Sequence, residues 1–192
     1  EPTTDAFVKA QAHLLKNKAI VLPKEDDQLW LITDGASSTR GLGATLYALR
    51  GGKLLLAGLF SQQLSPTYMK WFPCEIEGIT IACAVKFFDG FIVQSKHRTQ
   101  VLTDSKPCVD AYNKLLRGQF SSNARLSTFL SAACRHHIVI RHIAGAVNLP
   151  SDFASRNPII CSEANCQMCV FAKSLDESVV RGVSVRDIIE GK

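Results

Sequence analysis

Trp30-Leu-Ile-Thr-Asp34-Gly-Ala36 is a hydrophobic run that ends on an acid. A second run, Val101-Leu-Thr-Asp104-Ser105, has the same form. β-branched and aromatic residues favour strands, so each run predicts a strand with a carboxylate at its carboxyl end. Sheets of α/β proteins build their sites at that edge. The two runs therefore predict an α/β fold with two acids at one edge of its sheet.

Outward from these runs the pattern predicts an antiparallel meander and then a crossover helix, which brings a later strand parallel to the first. The predicted strands are 29–34, 42–49, 53–60, 99–104 and 137–143. The predicted helices are 4–18, 74–88, 105–117, 122–134 and a short one from about Pro150. Beyond Asn157-Pro158 we expect a polar segment without strong periodicity.

Two glutamates lie in the predicted helix 74–88, and helix geometry separates them. At about 100° per residue, Glu77 shares its face with four apolar residues, Ile81, Ala84, Val85 and Phe88. Glu75 falls on the side of Lys86. A helix N-terminus favours acids through its dipole, which explains Glu75 better than Glu77. Because an acid in an apolar stripe is costly unless it is paired or bound to metal, Glu77 is predicted to point inward.

The two strand-end acids, the inward glutamate and a fourth acid, Asp152 in Asn148-Leu-Pro-Ser-Asp-Phe, predict a site for paired divalent cations. Each acid has a structural alternative. Asp34 before Gly35 could belong to a turn, and Asp104 could cap a helix that begins at Ser105.

Composition and charge narrow the class of protein. With 192 residues and 46% hydrophobic residues, the chain is not disordered throughout. It lacks an apolar run of membrane-spanning length and does not begin with Met, so we expect a soluble piece of a longer polypeptide and no membrane partner. The chain has seven cysteines, an odd number, and four of them are scattered through apolar or helical sequence, which favours reduced, intracellular thiols over secretion. These four are Cys74, Cys83, Cys108 and Cys134.

Positive charge is concentrated between residues 91 and 145. This stretch holds eight Lys or Arg against only Asp104 and Asp110. A basic surface beside an acidic pocket favours a polyanionic substrate, with cations between carboxylate and phosphate. The alternative is an ordinary solvated face. The eight residues are Lys96, Arg98, Lys106, Lys114, Arg117, Arg125, Arg135 and Arg141.

Four sequence blocks together resemble the ribonuclease H domain of reverse transcriptases, especially those of Ty3/gypsy-like LTR retrotransposons, in both order and spacing. They are Thr33-Asp34-Gly-Ala-Ser37, Cys74-Glu-Ile-Glu77-Gly-Ile-Thr-Ile-Ala82, Leu102-Thr-Asp104-Ser-Lys-Pro107 and Arg141-His-Ile-Ala-Gly-Ala-Val-Asn148-Leu-Pro-Ser-Asp152-Phe-Ala-Ser-Arg156. The resemblance covers about residues 29 to 158. Residues 5 to 23 resemble the segment that joins the polymerase to this domain.

The resemblance implies a ribonuclease H-like fold, with a five-stranded mixed sheet in the order 3-2-1-4-5 and flanking helices. It implies hydrolysis of the RNA strand of RNA–DNA hybrids with two Mg²⁺ or Mn²⁺ ions, held by Asp34, Glu77, Asp104 and Asp152. The implied location is a cytoplasmic retroelement particle or the nucleus. The candidate substrate contacts are Gly35, Ala36, Ser37, Ser105 and Asn148.

The resemblance also implies an order of segments. Residues 1–25 would end the connection from the polymerase domain, 26–158 would form the ribonuclease H domain, and 159–192 would lead toward an integrase. A histidine-bearing loop of cellular relatives is missing between Ala144 and Asn148, as is usual in gypsy-like domains. The alternative to an enzyme is a non-catalytic module that keeps the fold to bind nucleic acid or protein.

Three cysteines form a second motif, Cys161-x4-Cys166-x2-Cys169. A C-x2-C pair is half of a zinc site, and Cys161 could be the third ligand. Since no His follows, the fourth position would fall to Asp176, to water or to another chain. The alternative is three free thiols in a linker.

Overall fold

Five strands form one mixed sheet in the computed structural model, which describes residues 20–65, 71–145, 148–163 and 165–179. The strands are β1 (Gln28–Ala36), β2 (Gly41–Arg50), β3 (Lys53–Gln63), β4 (Thr99–Thr103) and β5 (Ile138–His142). Their order is β3-β2-β1-β4-β5. The predicted fold class and sheet order are therefore confirmed. The predicted helix 4–18 lies outside the described residues.

Strand pairing brings the two strand-end acids to the same edge of the sheet. β1, β2 and β3 pair antiparallel, and the β2–β3 hairpin turns at Gly51 and Gly52, whose φ angles of 57° and 75° favour glycine. β4 lies parallel to β1, with Ile32 opposite Leu102. Asp34 and Asp104 each lie two residues beyond this pair, so the register alone makes them neighbours.

The described residues contain six helices, and every predicted helix within that part of the chain is present. They are α1 (Pro73–Phe87), α2 (Asp89–Gln94), α3 (Lys106–Leu115), α4 (Ala124–Ala133), α5 (Leu149–Arg156) and α6 (Gln167–Glu177). Two of them, α2 and α6, were not predicted. None of the described helices is long and apolar enough to cross a membrane.

Helix α1 is buried on both faces, which corrects the expected position of Glu75. One face covers the sheet, and α4 packs on the other so closely that a Cβ on Gly78 would lie 2.6 Å from Leu126 Cδ1. Glu75 is 4% exposed. Its carboxylate accepts hydrogen bonds from the Phe72 N–H at 2.8 Å and from Arg125 Nη1 at 3.2 Å. Glu75 thus caps α1 and joins it to α4.

The segment after Pro158 packs on the core, contrary to the expectation of irregular polar chain. The Ile159 carbonyl accepts from the Gln63 N–H at 3.0 Å, at the end of β3. Ala172 and Leu175 of α6 are buried in the hydrophobic core. Asp176 accepts from Arg125 Nε at 3.1 Å. These contacts do not test whether residues 26–158 fold alone, so the predicted boundary stays a prediction.

Candidate metal centre

Three carboxylates from separate elements converge at the carboxyl edge of β1 and β4. They belong to Asp34 in β1, Glu77 in the first turns of α1 and Asp104 directly after β4. Carboxylate oxygens of the three lie within 4.8 Å of one another. Three of the four predicted acids thus meet, and Glu77 points inward as the helix phase predicts.

Glu77 is the most constrained of the three acids. Burial raises its pKa to about 8, the charge of Asp34 adds to the increase, and a hydrogen bond from the Gly35 N–H opposes it. Its Oε2 is buried without a hydrogen-bond partner among the described residues. An unpaired buried carboxylate oxygen is costly, so this atom is suited to a cation.

Asp34 is 8% exposed and is held by α5. Ser155 Oγ donates a short hydrogen bond to Asp34 Oδ2. Burial raises the pKa of Asp34, Ser155 lowers it, and Asp104 and Asp152 raise it further. Ser155 therefore fixes the position of Asp34 Oδ2.

Asp104 is the more open member of the cluster. Gly145 lies against it, and a Cβ there would come within 2.8 Å of Asp104 Oδ2. Ser105, a predicted substrate contact, is the N-cap residue of α3 and its N–H donates to Thr103 Oγ1 at 3.1 Å. The absence of a side chain at 145 keeps room beside this carboxylate.

Asp152, the fourth predicted acid, does not join the cluster. It lies on α5, where its Oδ1 accepts from Arg156 Nε at 2.7 Å. Both side chains are partly exposed, at 37% for Asp152 and 64% for Arg156. Exposed ion pairs of this kind contribute little to stability, so the pair can open at small cost.

Two serines of α5 position the centre and were missed by the sequence reasoning. Ser151 Oγ donates to the Ile32 carbonyl at 3.0 Å, while Ser155 reaches Asp34. Both are fully buried. The sequence could have indicated this pair, because residues four apart lie on the same face of a helix. Gly41 and Gly43 of β2 let α5 pack close to the sheet, since a Cβ at Gly43 would lie 2.3 Å from the Ser151 carbonyl oxygen.

The other predicted substrate contacts differ in accessibility. Asn148 is 1% exposed and its Nδ2 donates to the Thr33 carbonyl at 3.0 Å, so its side chain contacts protein. Gly35 and Ala36 end β1, and Ser37 is exposed in the following turn. Gly35 also lets α1 approach the end of β1, because a Cβ at position 35 would lie 3.1 Å from the Glu77 backbone nitrogen. Their contacts with substrate stay predictions.

The donor set fits a hard divalent cation. Carboxylate oxygens are the ligands that Mg²⁺ and Mn²⁺ prefer, and the unpartnered oxygen of Glu77 lies among them. The three tail cysteines form a separate cluster with soft sulfur donors. The described residues thus include two clusters with opposite metal preferences.

Comparisons with known proteins agree with this architecture. Residues 1–101, just over half of the chain, match the family described as the RNase H-like domain found in reverse transcriptase. No curated protein sequence matches the chain.

Two solved structures with TM-scores above 0.5 show the same fold. RNase H1 of the archaeon Halobacterium salinarum NRC-1 has 13% identity and a TM-score of 0.51 over 68% of this chain and 96% of its own. LC11-RNase H1, isolated from compost and solved with an RNA/DNA hybrid, has 14% identity and a TM-score of 0.52 over 69% and 96%. A foamy viral protease-reverse transcriptase dRH in complex with double-stranded DNA has 16% identity and a TM-score of only 0.45, over 62% of this chain and 20% of its own, and does not enter the argument for the fold.

Proposed function

The chain belongs to the family of RNase H-like domains found in reverse transcriptases, and we propose that it is a catalytic member that hydrolyses the RNA strand of RNA–DNA hybrids. One observation carries this proposal. Asp34, Glu77 and Asp104 bring carboxylate oxygens within 4.8 Å of one another, and a buried oxygen of Glu77 has no partner among the described residues. Such clustered charge is costly to keep unless cations bind there.

In this proposal the four acids hold two Mg²⁺ or Mn²⁺ ions, with Asp152 completing the set when it leaves Arg156. Bound cations of this kind supply activation of the attacking water and neutralise the phosphate. The protein supplies no nucleophile of its own. Ser155 and the Gly35 N–H orient Asp34 and Glu77, so that carboxylate positions are set before substrate arrives.

Exposed cations near the acids support a polyanionic substrate. Lys106 begins α3 just after Asp104, and Arg141 lies near the end of β5, opposite Leu102 of β4. Both side chains are exposed. In contrast, Lys96 pairs with Glu25 and Asp26, and Arg125 pairs with Glu75. Lys106 and Arg141 would bind hybrid phosphates, while Gly35 to Ser37 and Ser105 would contact 2′-hydroxyls.

The proposal extends to the origin of the chain in a Ty3/gypsy-like retroelement. Residues 26–158 would be the nuclease, 1–25 would lead from the polymerase domain of the same polyprotein, and 159–192 would lead toward an integrase. A chain that ends at residue 158 tests this division. Cleavage by that chain would support the boundary, and an insoluble product would move it beyond α6.

One observation favours the alternative, a non-catalytic module that binds nucleic acid or protein. Asp152 lies outside the acid cluster and pairs with Arg156. If this pairing persists with substrate present, the centre has one ligand fewer than the proposal requires.

The deciding experiment is cleavage of a hybrid with a labelled RNA strand. We expect Mg²⁺- or Mn²⁺-dependent endonucleolytic products with 5′-phosphate and 3′-hydroxyl ends, and no cleavage in a chelator. Asp34→Asn and Asp104→Asn should each abolish turnover, because they keep shape but remove charge that the cations need. Asp110→Asn, an exposed acid on α3, is the matched control. Hybrid binding without cleavage by the wild type would instead support the non-catalytic module.

A further inference from the structure

Three cysteine thiols converge where the tail folds back on the core. The sulfurs of Cys161, Cys166 and Cys169 lie within 4.8 Å of one another, and all three are free and half-buried. In tetrahedral zinc sites Zn–S bonds are about 2.3 Å long, which places the sulfurs about 3.8 Å apart. The separations among the three sulfurs thus fall within a limit that includes the spacing of a zinc site.

The local backbone holds the cysteines in this arrangement. Cys166 is the N-cap residue of α6 and its side chain makes no capping hydrogen bond, while Cys169 lies one turn into the helix. The Cys166 N–H donates to the Glu163 carbonyl at 3.3 Å, which turns the chain between Cys161 and the helix. The first turn of α6 therefore presents Cys166 and Cys169 toward the loop that carries Cys161.

A residue of the sheet supports the cluster from outside. Gln62 of β3 is 6% exposed, and its Nε2 donates to Cys169 Sγ at 3.1 Å. Hydrogen bonds from buried donors to ligand atoms orient metal ligands and tune their basicity. Neither the proposed cleavage reaction nor the packing of α6 requires an amide at this position.

We propose that Cys161, Cys166 and Cys169 bind one zinc ion, which fastens the segment from Ile159 to Val179 onto the nuclease core. Three thiolates are soft ligands that select zinc over the magnesium or manganese expected at the acid cluster. Nothing in the proposed hydrolysis uses these cysteines. The site is therefore structural and independent of the acidic centre.

The fourth zinc position would be taken by water or by a ligand outside the described residues. Among the described residues no other His, Cys, Asp or Glu joins the cluster. Asp176, considered from the sequence, lies seven residues after Cys169, which is about 10 Å along a helix. It also accepts a hydrogen bond from Arg125 Nε. Asp176 therefore stabilises the packing of α6 on α4 and is not a zinc ligand.

A bound zinc ion would stabilise a helix that has little buried surface. α6 places only two residues in the core, Ala172 and Leu175, with Met168 and Phe171 partly buried beside them. Short helices with little buried surface open easily. Zinc would join the loop at Cys161 to the first turn of α6, and Gln62 would link that turn to β3.

The test begins with the 192-residue chain expressed with added zinc and purified with a reducing agent. We expect about one zinc per chain by elemental analysis, as for a single structural site. Titration of the zinc-free chain with Co²⁺ should give thiolate charge-transfer absorption, which carboxylates do not produce. Chelation should speed amide hydrogen exchange in α6 and leave β1 unchanged.

Variants distinguish a zinc site at these three cysteines from metal bound elsewhere on the chain. Cys166→Ser should lose the zinc and the Co²⁺ absorption, while Cys134→Ser, another half-buried free thiol, should keep both. Gln62→Leu should weaken zinc binding about 10- to 100-fold. Asp104→Asn should keep the zinc, because the acid cluster does not hold it.

Three results would overturn the proposal. They are a wild-type chain without zinc or Co²⁺ charge-transfer absorption, a Cys166→Ser chain with unchanged zinc, and a disulfide among the three cysteines that persists in protein purified with a reducing agent. The Co²⁺ titration needs only the wild type, so it decides the matter even if a cysteine variant fails to fold.

Discussion

Glu75 and Glu77 are two residues apart on α1 and have opposite surroundings. Glu77 faces the acid cluster with one oxygen unpartnered among the described residues. Glu75 caps the helix and pairs with Arg125, which itself lies over the Trp71 ring at 4.9 Å. A glutamate thus lies in the candidate metal centre at one position and caps a helix at the other.

Matched glutamine variants separate these two roles. Glu77→Gln should abolish cleavage with little loss of stability, because burial raises the pKa of Glu77 to about 8 and an amide resembles the neutral carboxyl. Glu75→Gln should keep cleavage but lower the free energy of unfolding by about 1.5–3 kcal/mol, the value of a hydrogen bond to a charged group. Hybrid cleavage and urea unfolding measure the two effects. An inactive Glu75→Gln would mean that the helix phase assigned to the centre is wrong.

The pKa of Glu77 predicts how stability depends on pH without divalent cations. Its folded pKa of about 8 lies above its ordinary value of 4.5. Between these values the folded chain binds more protons than the unfolded chain, so the unfolding free energy falls as pH rises through this window. Urea unfolding in chelator at pH 5, 6, 7 and 8 measures the slope. Glu77→Gln should flatten it, and an equal slope in both proteins would contradict the assignment.

At the scale of elements, α5 is the helix that completes the candidate centre. It carries Asp152 and Ser155, and it lies on β2 only because positions 41 and 43 have no side chains. The helix is also tied to β1 through Ser151 and through Asn148, which precedes it. Its position therefore depends on small residues in a neighbouring strand.

A methyl group at Gly43 should displace α5. Gly43→Ala should cost about 1–3 kcal/mol, as overpacking does, and should also slow cleavage because Asp152 and Ser155 move with the helix. Gly90→Ala is the control, since a Cβ there meets nothing within 4 Å. We expect it to gain about 0.5–1 kcal/mol in α2 with normal cleavage. Similar behaviour of the two variants would show that α5 does not depend on Gly43.

Over the whole molecule, the proposed substrate should be bound through phosphates at the acidic edge of the sheet. Hybrid affinity should fall steeply with salt, and Lys106→Gln and Arg141→Gln should each reduce the slope of log K against log salt by about one. Lys53→Gln, in the hairpin at the opposite edge, should leave it unchanged. Binding titrations at several salt concentrations check this, and a flat response would exclude a polyanionic ligand at this face.

Strand positions and the inward orientation of Glu77 were predictable from the residues themselves, because alternation, glycine breaks and helix phase depend on residues close together in the chain. The full sheet order was expected from the resemblance to the ribonuclease H domain, since neighbouring strands of the sheet are far apart in sequence. Helix α6 was not predicted. Its apolar face is short, and its burial depends on partners in α1 and α4 that are far away in sequence.

The residues alone thus specified an α/β sheet with acids at one edge and a cluster of cysteines after it, since these depend on local patterns. Tertiary packing settled which acids meet and what each one contacts. The carboxylates of Asp34, Glu77 and Asp104 lie close together, whereas Asp152 forms an ion pair with Arg156. Glu75 is buried. The physical reason is that burial and charge pairing depend on the elements that pack around a side chain, and no local pattern encodes them.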